Sequence, residues 1–127
     1  MKTIALSASG PKQELVKTEI DLGPLRSDEV LIQVESCGVC HSDLSMLNND
    51  WGFTPYPFIP GHEVAGRIVE LGSDVKGRKL KDRVGLGWYS RTCMCCQSCL
   101  SGDQNLCATS EPTMIGRPGG FASHIKA

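Results

Sequence analysis

Aromatic side chains are scarce in this chain, at 6% of residues, so a platform for stacking nucleic-acid bases is not expected. No charge of one sign dominates. Thirteen Lys and Arg stand against fourteen Asp and Glu, a net charge of -1, which gives no electrostatic pull toward nucleic acid or an anionic membrane. No apolar run approaches the roughly 20 residues that a membrane span needs. The N-terminal stretch "MKTIALSASGPKQ" has only a very short apolar run and no plausible cleavage site, which makes it a poor signal peptide. It reads instead as a first strand, and the protein as cytoplasmic. Internal repeats and low-complexity linkers are absent too. The 127 residues make one domain, 1–127, long enough to bury a core without covalent help.

What is present in excess is cysteine, seven in all, beside 14 Gly and 7 Pro. The glycines and prolines cut the chain into short segments, which favours strands and turns over long helices. Strands are expected over Thr3–Ala8, Glu14–Ile20, Glu29–Gly38, Glu63–Gly72, Asp82–Trp88 and Gly119–Ala127. In the third, Val30, Ile32 and Val34 alternate onto one face. A short helix is expected over Cys40–Asp50, with Leu44 and Leu47 three apart. Trp51–His62 holds three prolines and reads as an irregular loop. The expected fold is mainly β, a partly open barrel with a few short helices.

Five of the seven cysteines fall between Arg91 and Cys107. Four of them follow a regular spacing, Cys93-x-x-Cys96-x-x-Cys99-x7-Cys107. Zinc takes four tetrahedral ligands, with sulfur at about 2.3 Å. Two-residue spacers curl a chain so that successive sulfurs face one point, and the polar "LSGDQNL" provides a return loop for the fourth. Cys95 breaks the rhythm. Disulfides are disfavoured because cytosolic thiols stay reduced. A redox Cys-x-x-Cys usually opens a helix in a βαβ setting, and none is legible here. An iron–sulfur cluster also takes four cysteines, and spacing alone leaves it open. Four thiolates without a vacant position point to a structural zinc lobe.

A second constellation combines "CGVCHSD", Cys37–Asp43, with "PGHEVAG", Pro60–Gly66. Cys40, His62 and Glu63 are each good zinc ligands, and ligands drawn from separate segments suit a metal with an open position. On residue chemistry alone the choice stays open. His62 could be a satisfied core histidine, and Cys37 and Cys40 a pair of small buried side chains.

Taken together and in order, "GVCHSDL", "NDWG", "YPFIPGHEVAGRIVELGSDV", "DRVGLGW", the cysteine lobe and "GGFA" resemble the N-terminal GroES-like catalytic domain of zinc-dependent medium-chain alcohol dehydrogenases. Within that family the chain is most similar to the cinnamyl-alcohol-dehydrogenase type of NADPH-dependent aldehyde reductase. The resemblance runs over essentially the whole chain. It implies that Cys40 and His62 ligate a catalytic zinc, with Glu63 as a ligand that can swing away, and that Asp43 orients the histidine. Ser42 would pass a proton to the substrate oxygen. His41 would lie near the cofactor pyrophosphate, and Trp51 and Trp88 would line the substrate pocket. Cys93, Cys96, Cys99 and Cys107 match the structural zinc, and Cys37 and Cys95 match no ligand position.

The implied activity is reversible hydride transfer between NADP(H) and a small aldehyde or primary alcohol, with zinc acting as a Lewis acid. Two departures stand out. Ser45 occupies a place where many relatives carry a proton-relay histidine. The dinucleotide fingerprint G-x-G-x-x-G is also missing: "GLGW" lacks its third glycine and "GRPGGF" has the wrong spacing. The remaining zinc cysteine and a returning C-terminal segment of the family are not found either. The expectation is therefore an inactive catalytic-domain fragment whose partner is a cofactor-binding domain, and whose exposed surface could drive homo-oligomer formation. The competing expectation is a stand-alone zinc-binding interaction domain, which would have no need for a second, open site.

Overall fold

A computed structural model describes residues 1–127. Strands β1 (Lys2–Ser7) and β2 (Val16–Asp21) form an antiparallel ribbon, with Lys2 opposite Asp21 and Ser7 opposite Val16. The next elements are β3 (Val30–Cys37), helix α1 (His41–Asn48), β4 (Val64–Leu71) and β5 (Arg83–Leu86). A cysteine lobe follows, carrying β6 (Tyr89–Arg91), the single-turn helix α2 (Gln97–Leu100), a 3-10 turn (Gln104–Leu106) and β7 (Glu111–Pro112). The last strand is β8 (His124–Lys126). Four strands make an antiparallel sheet in the order β5-β4-β3-β8, and β6 pairs with β7. The fold is mainly β with short helices, as expected, and its sheets stay open rather than closing into a barrel. No helix is long and apolar enough to cross a membrane.

The main core lies on the four-stranded sheet, where Ile32, Val64, Leu86 and Ile125 pack together. A second core joins α1 to the proline loop and the lobe's return through Met46, Phe58 and Met114. Gly66 marks a close approach of β4 to β3. A Cβ there would strike the Gln33 carbonyl oxygen and the Ile32 side chain, so only glycine fits beside the bulges of β3.

Two sequence expectations shift. On α1 the buried side chains are Asp43, Ser45 and Met46, whereas Leu44 is exposed. The helix face is chosen by the site it serves and by Met46, not by the leucine spacing. The last strand is confined to His124–Lys126, because Gly119, Gly120 and Phe121 instead donate to the carbonyls of Ile59, Gly61 and Pro60. In β1 the small residues Thr3, Ala5 and Ser7 point inward while Ile4 and Leu6 face out. Ala5 bridges Ala122, and the Thr3 hydroxyl lies 2.8 Å from that of Ser123. Large side chains would hold these backbones apart.

Candidate metal centres

Cys40 occupies the N-cap of α1, in an extended conformation where β3 has just ended. One turn later Asp43 folds back, and its Oδ2 accepts the Cys40 backbone N–H at 2.9 Å. This satisfies one of the donors that a helix start leaves unpaired. The other oxygen, Oδ1, accepts the Gly61 N–H at 2.8 Å and stands 3.5 Å from His62 Nδ1. A single buried carboxylate therefore ties the segment carrying Cys40 to the segment carrying His62. Gly61 adopts φ +105°, and a Cβ there would lie 2.7 Å from the Phe121 ring, 2.8 Å from its backbone nitrogen and 2.8 Å from Cys37 Sγ. The turn that aims His62 thus requires glycine.

The ligating atoms of Cys40, His62 and Glu63 all lie within 4.8 Å of one another. His62 is buried, and its Nδ1 has no hydrogen-bond partner of good geometry. With Nδ1 facing Asp43, Nε2 is the nitrogen left to act as a ligand. Sulfur, imidazole nitrogen and carboxylate oxygen form a donor set that suits zinc, with one position open. Glu63 is exposed, and a Cβ on Gly38 would strike its carboxylate. The Gly38 N–H also donates to the Glu63 carbonyl at 2.8 Å. The Cys40 thiol lies 3.7 Å from the Ser42 hydroxyl oxygen. His41 is exposed on the first turn of α1. The Trp88 ring meets the His62 ring edge-on, with centroids 4.8 Å apart, and Trp51 meets Trp88 at 6.5 Å.

In the lobe, the sulfurs of Cys93, Cys96, Cys99 and Cys107 also lie within 4.8 Å of one another. Cys93 Sγ and Cys99 Sγ are 3.9 Å apart, close to the edge of about 3.8 Å that a tetrahedron of 2.3 Å zinc–sulfur bonds requires. All seven cysteines are free thiols. The Cys96 N–H donates to Cys93 Sγ at 3.3 Å and the Cys93 N–H to Cys107 Sγ at 3.4 Å. Met94, at φ +55°, turns the chain between the first ligands. The backbone N–H groups of Cys95 and Cys96 hold the Cys93 thiol down at about 5, and the Cys93 N–H lowers Cys107 likewise. Burial, followed by the hydrogen bond its thiol donates to the Cys96 sulfur, pushes Cys99 up to about 11. Donors aimed at two of the sulfurs prepare the lobe for thiolates, the form that binds metal.

Cys95 is exposed outside this set, and Cys37 is half-buried beneath Gly61 and Gly120. Burial raises the Cys37 thiol above its ordinary range. Two sizeable cavities lie away from both clusters. One, of about 680 Å³, opens on β3–β5 beside Ile32, Ile68 and Leu86. The other, of about 480 Å³, is edged by Arg26, Glu29, Glu111, Arg117 and Lys126. In the second, the cations are already paired with the carboxylates. Sequence reasoning passed over Phe53, whose ring stacks on Trp51 at 6.0 Å. Its only signal was its place two residues after Trp51.

Residues 26–127 match the alcohol dehydrogenase GroES-like domain family. The chain is 52% identical over 123 residues to an aldehyde reductase, AdhA, of Synechocystis, covering 97% of this chain and 36% of that protein. The cinnamyl alcohol dehydrogenase of Helicobacter pylori, solved in complex with NADP(H), superposes with a TM-score of 0.90 at 26% identity, over all of this chain and 39% of that one. A cobalt- and zinc-bound thermostable alcohol dehydrogenase from Pyrobaculum aerophilum gives 0.87 at 28% identity, over all of this chain and 39% of that one. The chain thus spans a little over a third of the length of these relatives.

Proposed function

Because the chain belongs to the alcohol dehydrogenase GroES-like domain family, we propose that it forms the zinc-holding, substrate-facing part of an NADP(H)-linked aldehyde reductase acting on a small aldehyde or its primary alcohol. The observation that carries this reading is the convergence of Cys40, His62 and Glu63 beside the buried Asp43. A closed lobe of four thiolates holds a structural zinc in the same reading. A pure interaction domain would have no use for the first, open cluster.

Cys40 Sγ and His62 Nε2 would hold the catalytic zinc, with the exposed Glu63 as a ligand free to withdraw. Bound there, zinc supplies Lewis-acid polarisation of a carbonyl oxygen. NADP(H), when bound, supplies the hydride, and His41 is the residue assigned to its pyrophosphate. Asp43 keeps the proton on His62 Nδ1 and fixes the ring's direction. Ser42, beside the Cys40 sulfur, gives the substrate oxygen its proton. Trp51 and Trp88 wall the site and exclude water, which strengthens each polar contact within it. The 127 residues on their own are inactive in this reading, since no G-x-G-x-x-G turn occurs among them.

Elemental analysis of the purified, dialysed protein tests the metal assignment. Two zinc ions per chain are expected, falling to one in Cys40→Ser. One zinc in the wild type would remove the open site, and none with intact thiols would remove both. In the intact enzyme, Ser42→Ala should lower NADPH-dependent aldehyde reduction by about 10²- to 10⁴-fold with zinc content unchanged.

A further inference from the structure

We propose that Thr113, just past β7 on the return from the cysteine lobe, is a positioning residue for the open metal site: it fixes Trp88 and, through Trp88, the ring of His62. The inference rests on the reading above, in which Cys40 and His62 hold a metal, and adds a residue that belongs to neither cluster. The His62 ring needs more than Asp43 to hold it. Its Nδ1 stands 3.5 Å from the carboxylate but makes no hydrogen bond of good geometry, so packing also sets its direction. The wall it packs against is Trp88, edge-on with centroids 4.8 Å apart.

Thr113 is fully buried, and a hydroxyl in such a place must be paired. Its Oγ1 donates to the Gly87 carbonyl at 2.7 Å, and its N–H donates to the Trp88 carbonyl at 2.7 Å. The hydroxyl has one proton and gives it to Gly87, so the Ser90 hydroxyl, 2.8 Å away, must donate to Thr113. One side chain and its amide thus hold the backbone on both sides of the Trp88 Cα. Pro112, opposite Tyr89, has no N–H, so the pairing of β6 with β7 reaches toward the site through Thr113. Met114 follows at φ +62° and drops into the core with Met46 and Phe58, against which Trp88 packs. The hydrogen bonds fix the Trp88 backbone, and this core backs its ring.

The chain has two tryptophans, hence two indole N–H signals in a 15N NMR spectrum, and Trp51→Phe tells them apart. In the zinc-loaded wild type the Trp88 indole should be as ordered as rigid backbone, with an order parameter of about 0.85. Thr113→Val keeps the shape and the N–H but loses the hydroxyl. It should shift and broaden the Trp88 signal. Chelator competition should show zinc at the open site weakened by about 10-fold, the lower end of what losing a ligand's direct partner costs, with the lobe's zinc retained. Thr113→Ser keeps the hydroxyl and should restore both signal and affinity, although the lost methyl lowers its melting temperature. A merely structural role would make signal and affinity follow the melting temperature instead, and would overturn the proposal. So would a wild-type Trp88 order parameter below about 0.6, a result that does not depend on any Thr113 variant folding. If Thr113→Val leaves the Trp88 signal and the zinc affinity unchanged, the assignment of Thr113 fails and the reductase reading stands. If the wild type holds one zinc only, the open site and the role of Thr113 fail together.

Discussion

Asp43 Oδ1 and His62 Nδ1 face each other at 3.5 Å, both residues nearly sealed from solvent. The same carboxylate accepts the backbone N–H groups of Cys40 and Gly61. Asp43→Ala would leave the buried Gly61 N–H without a partner, at about 1–3 kcal/mol, and the half-buried Cys40 N–H at less. It would also free the imidazole to turn. Asp43→Asn keeps one acceptor and sets an amide N–H group against a backbone donor. Both variants should lose zinc from the first site, with affinity lower by about 10- to 100-fold, and Asp43→Ala should melt at a lower temperature. Chelator competition measures the first effect and thermal unfolding the second. Unchanged affinity in Asp43→Asn would mean that the carboxylate does not orient His62.

The two clusters were legible to different degrees, for a physical reason. The lobe's ligands are close in sequence, so their spacing already constrains where the sulfurs can meet. Cys40 and His62 are brought together by Asp43 and by the left-handed Gly61, and residue chemistry alone left that site undecided. The paired strands β6 and β7 went unread because their partners, Tyr89 with Pro112 and Arg91 with Glu111, meet only across the folded lobe. The outward Ile4 and Leu6 are a tertiary override of hydrophobic pattern. The inward face of β1 is set by close backbone approach to Ala122 and Ser123, which favours small residues there.

Cys95 and Cys107 provide a contrast within the lobe. Cys107→Ser removes one of the four converging sulfurs and should release the lobe's zinc, leaving Cys93, Cys96 and Cys99 open to thiol reagents. Cys95→Ser removes an exposed thiol outside the set and should leave the zinc content unchanged. Zinc analysis together with thiol titration under native conditions distinguishes them. Equal zinc loss in the two variants would mean that Cys95 is a ligand.

Glu111 makes a pH-dependent clasp between the lobe's return and the loops that carry Arg26 and Arg117. It accepts from Arg26 at 2.9 and 3.3 Å, from Arg91 at 3.0 Å and from Arg117 at 3.2 Å. The hydrogen bond from Arg26, followed by the one from Arg91, holds its carboxyl below the ordinary value of 4.5. A depressed folded-state pKa contributes stability that is present above the unfolded value and lost as pH falls through the folded one. The wild type should therefore exceed Glu111→Gln in melting temperature near neutrality, and the gap should close as pH falls below about 4.5. The half-exposed setting limits the effect to about 1 kcal/mol or less. A gap that stays constant from pH 7 to pH 3 would show that the carboxylate's charge is not what the arginines hold.

Trp88 would make the proposed first metal site visible without any activity measurement. Its ring lies edge-on to His62 with centroids 4.8 Å apart, and Trp51 is next to it. These are the chain's two tryptophans, so all of its indole emission comes from beside the open cluster. Cobalt(II) takes the same nitrogen, sulfur and oxygen donors as zinc and quenches nearby indoles, whereas zinc, with a filled d shell, does not. Refilling metal-free protein with cobalt should therefore dim the emission strongly, and adding zinc instead should not. Cys40→Ser should abolish most of the cobalt quenching, because the ion then has no thiolate at His62. Cys99→Ser should preserve it, because only the lobe's set of four sulfurs is damaged. If quenching disappears in Cys99→Ser and persists in Cys40→Ser, the metal near the tryptophans is not held by Cys40 and His62, and the open site must be reassigned.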